Sequence, residues 1–203
     1  MASDHYFSQS PASEFTPRTI TATIAGRPVE LTTAAGVFSP DHIDTGSQVL
    51  LSTVPAPAPG GELLDLGTGW GPIALTMASD SPRARVWAVD VNERALELTR
   101  RNAAALGLDN VVPSLPDDVP ADLTFNTIWS NPPIRVGKDE LHNLLTRWLH
   151  RLAPAGDAWL VVQRNLGSDS LHRWLEAELP EEFSIHRVAT NKGFRVLRIR
   201  RRA

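Results

Sequence analysis

The stretch Leu63-Leu-Asp-Leu-Gly-Thr-Gly-Trp-Gly-Pro-Ile-Ala-Leu75 decides the fold. A short apolar strand leads into three glycines with the spacing G-x-G-x-G, and a helix is predicted to begin at Pro72. Glycines at such a turn let the backbone approach a ligand closely, and the first N–H groups of the helix then face that ligand. A tight strand–helix turn without a ligand is the alternative interpretation.

The chain beyond this turn alternates strands and helices. Strands are predicted at 62–66, 85–90, 111–115, 123–130, 158–163, 183–190 and 194–200, and helices at 72–78, 93–106, 139–152 and 168–179. Alternating β and α units are typical of an α/β protein with a mostly parallel sheet and helices on both faces. We therefore predict a Rossmann-like, seven-stranded sheet.

The N-terminal part has a different pattern. Residues 19–25 and 27–33 alternate apolar and polar side chains around Gly26, which predicts a β-hairpin. A short helix is predicted to begin near Asp44, which is a suitable N-cap. We divide the chain into an arm, hairpin and short helix packed on the same core (1–54), a Pro/Gly connector (55–61) and a ligand-binding domain (62–203).

The composition excludes several classes of protein. With 203 residues, 42% hydrophobic and 21% charged, the chain can bury a core as one domain. It has no cysteine, which excludes disulfides, a thiol nucleophile and iron–sulfur clusters, and its histidines lack metal-ligand spacing, so no metal is expected. Without a membrane-length apolar run or a signal peptide, a cytoplasmic protein is expected. Because the net charge is −3, a nucleic-acid partner would need a local basic patch.

Acidic residues lie at or just after the ends of three of the predicted strands. Asp65 is placed to meet a ligand that presents an ammonium group, such as the amino-acid end of S-adenosylmethionine. Asp90 ends the second strand of the main sheet, where a carboxylate can accept both hydroxyls of a ribose; the alternative is a helix cap, a role that Asn92 already fills. Asp118 follows the third strand and is a candidate for an adenine amino group, or equally a solvated loop residue.

The sequence Asn131-Pro-Pro follows the fourth strand of the sheet. Its Asn131 should project into the crevice beside the glycine turn, while the prolines keep the following carbonyl groups free of sheet or helix bonding. The Asn131 side-chain oxygen and the Pro132 carbonyl then form a pair of acceptors for a planar –NH2 group. Such a pair can hold an amine in line with a sulfonium methyl group and tolerate positive charge developing on nitrogen. An ordinary Asn-Pro turn is the alternative.

Taken together, Asp65-Leu-Gly-Thr-Gly, Asp90 and Asn131-Pro-Pro resemble the amino-methylating class I S-adenosylmethionine-dependent methyltransferases. The chain is similar in particular to the small-domain methyltransferases related to the enzyme that methylates guanine N2 of 16S ribosomal RNA. Further segments that carry this resemblance are 5–11, 36–39, 44–47, 131–138 and 192–196.

The resemblance implies S-adenosylmethionine as cofactor and ribosomal RNA or a ribosomal subunit as partner. It implies that Asn131 and Pro132 orient the amine during catalysis. The cofactor-binding residues would be Asp65, Leu66, Gly67, Thr68, Gly69, Asp90, Val91, Asn92, Asp118 and Asn131. The substrate-binding residues would be Pro133, Ile134, Arg135 and Lys138. A glutamine-amide protein methyltransferase, or a non-catalytic domain that keeps the fold, are the alternatives.

Two departures from the family concern the substrate. Two-domain members carry an extra domain in front, whereas only 35 residues precede Gly36 in this sequence. The residue after Asn-Pro-Pro is usually aromatic and stacks on the target base, whereas here it is Ile134. Arg135 and Lys138 are candidates for phosphate contacts or for an ordinary helix entry. The arginines at 195, 198, 200, 201 and 202 suit either a phosphate stripe or a solvated end, and residues 5–7 suit an arm near the crevice or a simple hydrophobic staple.

Overall fold

The chain begins with a two-stranded hairpin and continues with alternating strands and helices. The computed structural model describes residues 14–203, without the side chain of Arg135. Strands β1 (Arg18–Ile24) and β2 (Arg27–Thr33) form the antiparallel hairpin. Helix α1 (Thr45–Thr53) follows, capped by the Asp44 carboxylate, which accepts the N–H groups of Gly46 and Ser47. The predicted hairpin and the predicted cap are both present.

Seven further strands and four further helices follow among the described residues. The strands are β3 (Gly60–Leu66), β4 (Arg83–Val89), β5 (Val111–Ser114), β6 (Phe125–Ser130), β7 (Leu152–Gln163), β8 (Phe183–Asn191) and β9 (Phe194–Arg201). The helices are α2 (Pro72–Asp80), α3 (Glu93–Ala105), α4 (Lys138–Leu149) and α5 (Ser168–Glu178). Short 3-10 turns span Ile134–Val136 and Arg164–Leu166.

The seven strands form one sheet in the order β5-β4-β3-β6-β7-β9-β8. Strands β3 to β7 are parallel, and β9 pairs antiparallel with both β7 and β8. Helices α4 and α5 pack on one face, and α1 and α2 pack on the other. The Rossmann-like, mostly parallel sheet predicted from the sequence is confirmed. Because β3, β4 and β6 are neighbours, the loops that follow them meet at one end of the sheet.

The boundary between α4 and β7 differs from the prediction. The helix ends at Leu149 and not at residue 152, and the strand begins at Leu152 and not at residue 158. The Pro-Ala-Gly sequence at 154–156 suggests a break, but it forms an irregularity within β7, where the pairing with β6 skips from Leu152 to Asp157. Gly156 makes this possible, since an added Cβ would lie 2.8 Å from a backbone oxygen.

The connection from β5 to β6 crosses two strands without a helix. Its residue Val119 is buried in the core on the α4–α5 face. The Arg151 side chain donates to the carbonyl oxygens of Leu123 and Pro120 and holds the loop against the sheet. None of the helices within 14–203 is long and apolar enough to cross a membrane.

Candidate functional site

The loops after β3, β4 and β6 surround a cavity of about 310 Å³. Most of the site residues predicted from the sequence line it, namely Leu66, Gly67, Gly69, Asp90, Val91, Asn92, Asn131, Pro132, Pro133 and Ile134. They come from segments far apart in the chain, and the parallel register of the strands brings them together. Asp90, which follows β4, and Asn131, which follows β6, both line this cavity.

The glycine turn after β3 is held against the end of β4. The N–H groups of Gly67 and Thr68 both donate to the carbonyl oxygen of Val89, at 2.8 and 3.0 Å. Gly69 has a φ of 58°, and no atom lies within 4 Å of the position that a Cβ would take there. The backbone at this turn is therefore uncovered toward the cavity, as close approach of a ligand requires.

Asp90 presents a carboxylate that is oriented by the backbone. Its Oδ2 accepts the N–H of Gly69 at 2.9 Å, and its Oδ1 accepts the N–H of Asn92 at 3.0 Å. Burial raises the pKa of this carboxyl group, and these backbone bonds counteract the rise in part. Each oxygen keeps a lone pair for a further donor, so the carboxylate can accept a pair of neighbouring hydroxyl groups. The helix cap is supplied separately by Asn92, whose side-chain oxygen accepts the N–H of Arg94.

The Asn131 side chain is held by two residues at the start of α1. Its Nδ2 donates to Asp44 Oδ1 at 2.9 Å and to Ser47 Oγ at 3.2 Å. Because Asp44 Oδ1 also accepts the N–H groups of Gly46 and Ser47, it acts as an acceptor, and the nitrogen of the amide must face it. The amide oxygen is thereby left as an acceptor in the cavity wall. Pro132 is buried beside it and also lines the cavity.

Asp65 is not among the residues that line the cavity, and its predicted contact with an ammonium group stays a prediction. It is fully buried beneath the glycine turn, and its Oδ2 accepts the N–H of Ala74 in α2 at 2.9 Å. Alternation along β3 explains this position, since Asp65 points to the same face as Leu63, which packs against α2. Burial raises the pKa of Asp65 to about 7. Thr68 is also buried and lines a smaller adjoining cavity of about 30 Å³.

Asp118 and Lys138 are exposed and do not line the cavity. The residue after β5 that does line it is Pro116, because the chain turns at this point and carries Asp118 outward. Lys138 begins α4 on the outer surface. The side chain of Arg135 and residues 5–7 lie outside the described part of the chain.

Four of the five C-terminal arginines, those at 195, 198, 200 and 201, are paired with acidic side chains. Arg198 and Arg200 both contact Asp157, and Arg201 lies near Glu182. Arg195 contacts Asp169, as does Arg187 in β8. The first of the two interpretations, a phosphate stripe along β9, is therefore weakened, because these carboxylates already neutralise much of its charge.

Several cavity residues were not predicted as site residues. Phe38, Asp44 and Phe194 line the cavity, together with Gln163 and Leu166. Phe38 and Phe194 lie in the family-specific segments 36–39 and 192–196, so the sequence contained a pattern that could have identified them. Next to Phe38, the carbonyl oxygen of Ser39 accepts the indole N–H of Trp70 at 3.0 Å, which joins this segment to the glycine turn. Within residues 14–203 no cluster of three His, Asp or Glu side chains could hold a metal ion.

Three features of this Rossmann-like sheet define a methyltransferase of the α/β class. They are the glycine turn after β3, the acidic residue after β4 and the sequence Asn-Pro-Pro after β6. Residues 28–198 match the family model described as methyltransferase small domain. The chain belongs to this family.

The relatives of the chain include proteins with and without an assigned activity. The uncharacterized protein YbxB of Bacillus subtilis (strain 168) is 35% identical over 202 residues, which cover 98% of this chain and 99% of that protein. Ribosomal RNA small subunit methyltransferase C of Salmonella choleraesuis (strain SC-B67) is 35% identical over 173 residues, covering 82% of this chain but only 48% of the relative. The chain thus spans about half the length of the curated ribosomal RNA methyltransferases it matches.

One solved structure is similar to this chain in its fold. The T. thermophilus 16S rRNA N2 methyltransferase RsmC, in complex with AdoMet and guanosine, has a TM-score of 0.78 and 23% identity. The alignment covers 95% of this chain and 52% of that protein. At this identity the match supports the fold, which agrees with the sheet described above.

Proposed function

We propose that this protein is an S-adenosylmethionine-dependent N-methyltransferase that acts on the exocyclic N2 amine of a guanine in 16S ribosomal RNA. The observation that carries the proposal is the wall formed by Asn131 and Pro132, whose acceptors lie in the same cavity as the Asp90 carboxylate. The relative from Salmonella named as a ribosomal RNA methyltransferase supports the RNA substrate.

The residues present fit S-adenosylmethionine. Asp90 offers acceptors for the two ribose hydroxyls, and the uncovered backbone at Gly69 leaves room for close approach of the amino-acid end. Leu66, Val91 and Asn92 line the same cavity. Asp65, buried below the turn, supports the turn by accepting the N–H of Ala74 in α2. The cofactor supplies an electrophilic methyl group on a positively charged sulfur.

The acceptor pair orients the amine for transfer. The Asn131 amide oxygen and the Pro132 carbonyl would each accept one N–H of the –NH2 group, which turns the nitrogen lone pair toward the methyl group. Guanine N2 is a poor nucleophile because its lone pair is delocalised into the ring. The two acceptors also stabilise the positive charge that grows on nitrogen as the methyl group is transferred. The methylated, positively charged amine would then lose one proton to water.

The same acceptor pair would serve a glutamine amide in a protein. The aliphatic Ile134 after Asn-Pro-Pro favours this second candidate, because an amide needs no ring to stack on. Aromatic surface is nevertheless present in the cavity through Phe38 and Phe194, which suits a purine.

Transfer of tritium from labelled S-adenosylmethionine tests the proposal. The acceptors to compare are ribosomal RNA and small subunits that lack native methylation, and a release-factor protein with an unmethylated glutamine. We expect label in RNA, recovered as N2-methylguanosine after nucleoside analysis. Label in the protein only would favour the amide-directed alternative, and the absence of label in either would contradict the proposed activity.

Replacing Asn131 by Ala is the matched loss-of-function variant. We expect kcat to fall by at least about 100-fold, since the acceptor acts mainly on the amine during transfer. The dissociation constant for S-adenosylmethionine, measured by calorimetry, should stay within about 3-fold of the wild-type value. A variant that keeps a tenth of the wild-type rate would remove the orienting role from Asn131.

A further inference from the structure

The side chain of Asn131 is clamped by two residues that lie 87 and 84 positions earlier in the chain, Asp44 and Ser47. Both belong to the beginning of α1, which packs on the sheet beside β7 and β9. Ser47 is buried and Asp44 lines the cavity. The two contacts fix the amide nitrogen from one side, so the position of the amide oxygen is determined as well.

The clamp is itself rigidly placed. Asp44 Oδ1 accepts the N–H groups of Gly46 and Ser47 at 2.8 and 3.2 Å as the cap of α1, and it accepts Asn131 Nδ2 with the same oxygen. Gly46 allows this close packing, since an added Cβ would lie 3.0 Å from Asp44 Oδ1, 3.0 Å from the ring of Phe194 and 3.2 Å from Asn131 Nδ2. A rotation of the Asn131 amide that moves Nδ2 away from α1 would therefore break both of its bonds to Asp44 and Ser47.

We propose that Asp44 and Ser47 are positioning residues that orient the Asn131 amide so that its carbonyl oxygen faces the substrate amine. The expected effect on catalysis rests on the proposed function, whereas the orientation of the Asn131 amide can be measured without any substrate. A carboxylate on the nitrogen side also polarises the amide and increases the negative charge on the oxygen. The clamp thus makes the site selective for an N–H donor over an acceptor group.

Ser47→Ala tests the clamp without touching the helix cap, because the Ser47 hydroxyl is not the capping group. Ser52→Ala is the matched control, since Ser52 is a serine of the same helix whose hydroxyl bonds to Val49 O. We expect kcat for ribosomal RNA to fall by about 10-fold in Ser47→Ala, with the cofactor dissociation constant unchanged. The rate of Ser52→Ala should match the wild type.

Asp44→Asn and Asp44→Ala separate the clamp from the cap. Asparagine is also a good N-cap and offers an oxygen to Asn131, so Asp44→Asn should keep the melting temperature and lose only about 10-fold in kcat. Asp44→Ala should lose about 100-fold in kcat at temperatures where circular dichroism shows it folded. If Asp44→Ala remains active once folded, Asp44 serves as a helix cap only and the proposal is wrong.

The Asn131 side-chain NH2 resonances in a ¹⁵N spectrum provide a readout independent of activity. They are assigned by their loss in Asn131→Ala. We expect them to shift in Ser47→Ala and Asp44→Asn and to stay unchanged in Ser52→Ala. Unchanged resonances in all variants would overturn the clamp whatever the substrate is. If the resonances shift in Ser47→Ala and Asp44→Asn but the wild-type protein fails to methylate RNA, the proposed function is contradicted and the clamp stands.

Discussion

Asp90 shows how one carboxylate can serve both the fold and a ligand. Its two oxygens accept N–H groups from the glycine turn and from the start of α3, and these bonds aim its remaining lone pairs into the cavity. The charge is therefore oriented before a ligand arrives, which lowers the cost of binding.

Asp90→Ala should weaken binding of S-adenosylmethionine by about 1.5–3 kcal/mol, the usual contribution of hydrogen bonds to a charged group. Isothermal titration calorimetry measures this loss directly. Asp118→Ala is the matched control, because Asp118 is exposed and does not line the cavity, and its affinity should equal that of the wild type. Full affinity in Asp90→Ala would exclude Asp90 from the binding site.

Ile134 stands where the family usually carries an aromatic residue, and it is half-buried at the cavity wall. If a flipped base lies against it, Ile134→Ala should lower kcat/KM for RNA by about 1–2 kcal/mol through loss of apolar contact. Ile134→Tyr should be tolerated or raise kcat/KM, because stacking is added. Single-turnover rates on RNA fragments measure both. Wild-type rates in both variants would show that Ile134 does not touch the substrate.

The residues predicted at strand ends, Asp90 and Asn131 among them, line one cavity, because strand ends in a parallel sheet converge. The sequence could not predict the direction of Asp65, whose side chain turns beneath the loop according to its position in the alternation of β3. It also could not pair Asp44 with Asn131, since that contact joins two segments through the packing of α1. Local pattern identifies a cap at Asp44, and only tertiary structure shows its second role.

At the scale of elements, the turn between β3 and α2 depends on a buried carboxyl group. The pKa of Asp65 is raised from 3.8 to about 7, mainly by burial, with a smaller contribution from the charge of Asp90. Asp65 is thus protonated more readily in the folded than in the unfolded chain. This group stabilises the fold fully below about pH 4, and the contribution is lost as the pH rises toward 7.

We expect the free energy of unfolding of the wild type, relative to Asp65→Asn, to decrease by up to about 1.4 kcal/mol per pH unit between pH 5 and 7. Above pH 7.5 the difference should become constant. Urea denaturation at several pH values measures it, with Asp118→Asn as the exposed control. Parallel pH profiles for wild type and Asp65→Asn would show that Asp65 has an ordinary pKa.

Element boundaries were predicted well where glycine or a cap marks them, as at Pro72 and Glu93, where both helices begin as predicted. The prediction failed at the α4–β7 boundary, because Pro154 and Gly156 suggest a loop whereas they form an irregularity inside a strand. Proline and glycine interrupt regular pairing in either case, and only the neighbouring strand shows which of the two occurs.

At the scale of the whole molecule, the net charge of −3 does not attract RNA, so the RNA binding that the proposed function requires would depend on local basic residues. Replacing Arg135 and Lys138 together by Ala should reduce the slope of log Kobs against log salt by about 1–2 units, without affecting cofactor binding. Arg198→Ala with Arg200→Ala is the matched control, because both arginines already pair with Asp157. Filter binding over a range of salt concentrations measures the slopes. An equal slope in the wild type and the first variant would assign Arg135 and Lys138 to ordinary surface.

The bond from the Trp70 indole to the Ser39 carbonyl has a spectroscopic consequence. Trp70 is 2% exposed, and its partner directly follows Phe38 in the cavity wall. Any ligand that displaces this segment changes the polarity around the indole and hence its fluorescence emission. Comparing wild type with Trp70→Phe isolates that contribution from the other tryptophans. The protein thus carries an intrinsic optical probe beside its cavity, suited to stopped-flow measurement of ligand entry without any attached dye.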